Sequence, residues 1–88
     1  MKTIYKYPID LKQRQWIQLP RGAEILSAHA QDNELFIWAL VDTEQEIAPR
    51  EVLVFATGEV CEIPTHRPYQ HIDTVHAGPW VWHVFASV

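Results

Sequence analysis

Six residues near the end of the chain, Trp80-Val81-Trp82-His83-Val84-Phe85, restrict the fold more than any other stretch. Apolar residues fill both alternating sets, with a single ionisable side chain among them. Successive side chains of a strand point to opposite faces. Trp80, Trp82 and Val84 therefore share one face, and Val81, His83 and Phe85 share the other. Both faces need cover, by core on one side and by core or a partner on the other. Helical order is absent elsewhere: no window keeps apolar residues three and four apart, and Pro, Gly and β-branched residues interrupt each candidate. The rest of the chain must supply strands to pack against this one.

Turn signals divide the remainder into short β-rich runs. Thr3–Tyr7 ends at Pro8, which suits an edge strand or a strand end. Gln15–Leu19 stops at Pro20-Arg21-Gly22. With Ile9–Lys12 as a loop between them, these first two runs are expected to form a wide hairpin. Glu24–Gln31 offers Leu26, Ala28 and Ala30 on an apolar face and Ile25, Ser27 and His29 on the other. Asp32-Asn33 is the clearest hairpin turn in the chain. The continuous apolar run Leu35–Val41 after it predicts a strand buried on both faces.

Asp42–Pro49 reads as an exposed acidic loop, and Arg50–Thr57 as a strand with Leu53 and Phe55 opposite Val52, Val54 and Ala56. Gly58 ends that strand, and Glu59–Pro68, carrying two prolines, is the longest irregular stretch. Tyr69–His76 and Trp80–Val88 complete the set around Ala77-Gly78-Pro79. About seven strands at this spacing predict an all-β single domain over residues 1–88, an antiparallel sandwich or a partly open barrel. Four tryptophans in 88 residues help so small a domain reach a sufficient core, since each ring can bury about 150–250 Å².

Charge narrows the partners. The net charge of −4 with seven Lys and Arg argues against an extended nucleic acid, which needs a clustered basic face. No run approaches the ~18 apolar residues of a membrane span, and the start of the chain has no apolar signal segment. With Cys61 alone there is no disulfide framework or cysteine zinc site. A cytoplasmic protein is the expectation.

Candidate chemistry is sparse. His71 and Asp73, two apart on one predicted strand face, and His76 on the opposite face near the turn, are the best metal-ligand candidates. Their spacing matches no established zinc or nickel motif, and strand-surface histidines are the simpler reading. Cys61 sits between Val60 and Glu62, and a half-buried inert thiol is a simpler reading than a nucleophile. No serine elbow and no phosphate-cradling glycine loop is present. No catalytic residue and no cofactor is assigned. Trp38, Trp80 and Trp82 are either all core or, in part, an exposed ring cluster of the kind that marks a partner surface. Asp42, Glu44 and Glu46 could add an acidic edge to it.

Several segments together resemble a family of small β-rich domains of unknown function encoded by phages and prophages. They are Lys2–Pro8, Leu19–Ser27, Leu35–Asp42, Thr57-Gly58, Ile72–Val75 and Val81–Phe85, in order along most of the chain. The chain departs from the family pattern at His71-Ile72-Asp73, where a glycine is expected, and at Gly58–Pro64, where Gly-x-Pro-Ile-Pro is common. The resemblance implies a one-domain protein made in the cytoplasm of an infected bacterium, and it brings no catalytic residues. The expectation is a non-enzymatic accessory protein that binds a host or phage protein, for example to inhibit a defence system, with a homodimer as a further prospect. The alternative is a nucleotide-like or aromatic ligand stacked on the exposed tryptophans.

Overall fold

The computed structural model describes residues 1–88. Seven strands follow in order: β1 (Lys2–Ile9), β2 (Gln15–Pro20), β3 (Glu24–Gln31), β4 (Glu34–Asp42), β5 (Ile47–Ala56), β6 (Tyr69–Ala77) and β7 (Trp80–Ser87). They form two antiparallel sheets, β1-β4-β3 and β2-β5-β7-β6, neither of them closed. The all-β expectation holds, as an open sandwich. Ile9, Ala28, Leu35 and Ile37 from the first sheet meet Val52, Val54, Val75, Val84 and Ala86 from the second in the main core.

The β3–β4 hairpin forms where expected. Asp32 and Asn33 both adopt positive φ, 53° and 64°, which a tight two-residue turn with the right strand twist requires. Gln31 opposes Glu34, and the register runs back from there. At Leu26 a β-bulge inserts one extra residue. Ile25 therefore faces inward together with Ala28 and Ala30, while Leu26 points outward. The expected apolar face of Leu26, Ala28 and Ala30 is broken by that single residue.

Three other expectations fail, the first at the acidic loop, whose last residues Ile47–Pro49 already belong to β5. β1 and β2 do not pair: β1 lies along β4, and β2 along β5 in the opposite sheet. The loop between them is a corner, held by the buried Gln15 side chain, which accepts from the Asp10 amide at 2.8 Å and donates to the Asp10 carbonyl at 2.7 Å. β4 is buried on one face only. Leu35, Ile37, Ala39 and Val41 are buried, whereas Phe36, Trp38 and Leu40 face out. Pro8 sits within β1, an edge strand, where its missing N–H removes no ladder bond on the free side.

The connection from β5 to β6 shapes the rest. Both strands are antiparallel to β7, so they run parallel to each other, and the chain must return the length of the sheet between them. One face of that sheet is already packed on β1-β4-β3. Residues 57–68 therefore cross the other face. Leu53 and Phe55 point to that side and are each only 1% exposed.

Candidate binding face

The outer face of β1-β4-β3 has no such cover. The hairpin register sets His29 opposite Phe36 and Ser27 opposite Trp38, and β1 sets Lys6 opposite Trp38 and Ile4 opposite Leu40. His29 lies between two rings: its centroid is 5.1 Å from that of Trp38 at an interplanar angle of 9°, and 5.6 Å from that of Phe36 at 27°. Lys6 Nζ stands 4.5 Å from the Phe36 centroid and 5.9 Å from that of Trp38, and it donates to Gln31 Oε1 at 3.2 Å. Around this stack Ile4 is 53%, Leu26 44% and Trp38 36% exposed.

Such a face has a definite chemistry. Rings already stacked lose little rotamer freedom on binding, which is the property that makes aromatic anchors effective at interfaces. The ammonium over the rings adds one positive charge beside an apolar platform. The surface fits apolar or aromatic side chains, with an acidic group placed near Lys6.

The outer face of the second sheet sets a polar, internally satisfied array beside its covered Leu53, Phe55 and Phe85. Thr57 Oγ1 is 2.7 Å from His83 Nε2, His83 Nδ1 is 3.1 Å from Thr74 Oγ1, and that hydroxyl is 3.0 Å from His71 Nε2. Beside this array the buried Glu51 carboxylate accepts from Arg14 and from the Tyr69 hydroxyl. Burial opposes ionisation of Glu51, but those hydrogen bonds and the nearby Arg14 and Arg67 charges outweigh it and hold its pKa below the usual glutamate value. Burial and the same hydrogen bond push Tyr69 up.

The metal candidates are separated. A second bulge, at Ile72, shifts the register between His71 and Asp73. His71 and His76 consequently share the outer face and Asp73 turns inward, the reverse of the expected arrangement. Both Asp73 oxygens are taken by backbone amides: Oδ2 accepts from Ala28 at 3.2 Å, tying β6 to β3 across the sheets, and Oδ1 accepts from Thr74 at 2.9 Å. No group of three such side chains is arranged to hold a metal ion. Cys61 is exposed, with its Sγ 3.6 Å from the Glu59 carbonyl oxygen.

The expected partner residues are divided as well. Trp82 packs against the core, whereas Trp80 at the start of β7 is 58% exposed. Together with Leu11, Gln13 and Glu59 they border a cleft of about 280 Å³, closed on one side by a hydrogen bond from Gln13 Nε2 to Glu59 Oε2 at 2.9 Å. Trp38 lies on the other sheet. Asp42 and Glu44 pair with the Met1 amino group at 3.2 and 3.0 Å, and Glu46 pairs with Arg21 at 2.9 Å. The Glu44 amide and the Met1 amine hold Asp42 below the usual carboxylate range. Three carboxylates thus share two cations, and the edge keeps one net negative charge, exposed at Glu44 and Glu46.

Ile4, Lys6, Leu26, His29 and Phe36 escaped the sequence reading. One signal could have found part of the set: a two-residue turn at Asp32-Asn33 forces His29 opposite Phe36 and Ser27 opposite Trp38. The whole chain, residues 1–88, matches the protein family described as Domain of unknown function (DUF7352). No curated protein and no solved structure matches it.

Proposed function

The chain belongs to the DUF7352 family, and we propose that it is a non-enzymatic binding protein that engages a partner protein through the outer face of β1-β4-β3. One observation carries the proposal. Of two outer faces with apolar and aromatic content, the chain covers one with its own residues 57–68 and leaves the other open, its rings pre-stacked around His29. The resemblance to phage and prophage domains supports a host or phage protein in the bacterial cytoplasm as the partner, with inhibition of a host factor as the consequence. Because two cations of the same chain offset two of the three charges on Asp42, Glu44 and Glu46, the apolar face contributes more to affinity than acidic mimicry.

A photo-crosslinking residue at Leu40 tests this against the same residue at Val60 on the crossover. The proposal expects a discrete adduct from Leu40 only, lost on Trp38→Glu and retained at raised salt. Adducts from Val60 alone, or capture indifferent to Trp38→Glu, would sink it. Self-association through the same face is a rival occupant, and a dimeric mass by light scattering that Trp38→Glu converts to a monomer would identify it.

A second reading rests on the cleft beside Trp80. Its exposed indole could stack a planar aromatic or nucleotide-like ligand, with Lys12 and Glu59 offering one charge of each sign at the cleft. Quenching of tryptophan fluorescence that vanishes in Trp80→Ala would support it. An unchanged spectrum across a panel of such compounds and nucleotides would remove it.

A further inference from the structure

Arg50 is the only arginine within a strand, and its position is unusual. It lies two residues before Val52 on β5, opposite Ile17, so its side chain leaves the sheet on the core-facing side. At this end the layers part into a cavity of about 350 Å³, lined beside Arg50 by Gly22, Glu24, Ile25, Gln70, Ile72 and Ser87. One guanidinium nitrogen, Nη2, donates to the Ala23 carbonyl at 2.9 Å. The ion pairs of the chain pass it by: they join Met1 with Asp42 and Glu44, Lys12 with Asp10, Arg14 with Glu51, and Arg21 with Glu46.

We infer that this cavity is a binding site for a small, singly charged organic anion, a carboxylate or a phosphate diester, held by the Arg50 guanidinium. Arginine presents five N–H donors in a rigid fork that matches carboxylate and phosphate oxygens. A single carbonyl acceptor leaves most of that fork available. Partial burial pushes the Arg50 pKa down, the signature of a cation withdrawn from water without a counter-charge. A bidentate anion supplies that charge through charge-assisted bonds. The cavity is near the lower end of small-molecule sites, roughly 300–1,000 Å³, which selects a compact ligand. Ile25 and Ile72 offer apolar walls for its body, and the buried Ser87 and the Gln70 amide add polar groups at its head. Glu24 at the same cavity repels multiply charged ligands.

The full chain, labelled with nitrogen-15, is titrated with isovalerate, with dimethyl phosphate, and with isovaleramide as the uncharged control. The inference expects saturable shifts at the Gly22, Ile72 and Ser87 amides with at least one anion and none with the amide. Isovalerate alone assigns a carboxylate ligand, and dimethyl phosphate alone a phosphate diester. Arg50→Gln should weaken binding about tenfold or more, and Glu24→Gln, an exposed change that leaves the fold intact, should tighten it. Absence of saturation with both anions up to roughly 100 mM, far weaker than a bidentate arginine site, overturns the inference. Equal binding of isovaleramide, or unchanged anion affinity in Glu24→Gln, does the same even if Arg50→Gln fails to fold.

Discussion

The two outer faces of the sandwich start from similar material and end differently. On β2-β5-β7-β6 the outward residues include Leu53, Phe55 and Phe85; on β1-β4-β3 they include Ile4, Phe36, Trp38 and Leu40. The first set is covered by residues 57–68 and contributes to stability. Phe55 and Phe85 meet edge to face at 6.3 Å, and the Thr57-His83-Thr74-His71 array ties the crossover down. The second set is paired only within its own sheet. The same kind of side chain is core on one face and an available surface on the other, because one connection is long and the others are short.

That contrast can be broken most directly at its two aromatic centres. Phe55→Ala should lower stability by about 3–5 kcal/mol, as for a fully buried phenyl ring, with a fall in melting temperature on the order of 20 °C. Trp38→Ser should cost about 1 kcal/mol or less, since Trp38 is more than a third exposed. Comparable losses at the two sites, measured by urea unfolding, would show that the outer face of β1-β4-β3 is not the open one.

A smaller effect is expected at Glu51. Replacing it with Ala leaves the Tyr69 hydroxyl and Arg14 without their acceptor, at about 2–3 kcal/mol, because Arg14 keeps access to water. The folded pKa lies below the ordinary value of 4.5, so the ionised group stabilises the fold fully above that value. The contribution is lost as pH falls through the lowered folded value. The stability gap between wild type and Glu51→Gln should therefore narrow in acid below about pH 4.5. A gap that stays constant down to acid unfolding contradicts this role.

Thr57→Val removes one bond that pins the crossover, at about 1 kcal/mol. It should speed amide exchange in β6 and β7 beneath the crossover more than in β4. Smallest of all, Ile4→Lys and Leu26→Glu should change stability by about 0.5 kcal/mol or less while reducing any self-association of the purified chain. A large destabilisation by either would mean that these side chains are structural.

Much of the architecture was legible before any coordinates. The Asp32-Asn33 turn announces its hairpin because few residues tolerate two successive positive φ values. The seven strands follow from alternation between turn signals. Pairing was less legible: nothing local to Ile9–Lys12 distinguishes a hairpin from a corner between sheets, and Gln15 decides it by bonding back to Asp10. The bulges at Leu26 and Ile72 were hidden too, because one inserted residue reverses every later face assignment. That reversal separates Asp73 from His71 and dissolves the apparent metal set.

The chain by itself determined that it is a one-domain β protein, where its strands lie apart from the start of β5, and that Trp80–Phe85 needs cover on both sides. Period-two alternation and turn chemistry are local properties, and local properties survive in sequence. Only the tertiary structure decided which apolar faces receive that cover. The run Leu35–Val41 reads as apolar on both sides, as does Glu51–Ala56, yet only the second has a crossover laid upon it. That difference follows from β5 and β6 being parallel neighbours of β7, which obliges the connecting segment to return across one particular face. Topology, a non-local property, turned one aromatic face into core and left the other for a partner.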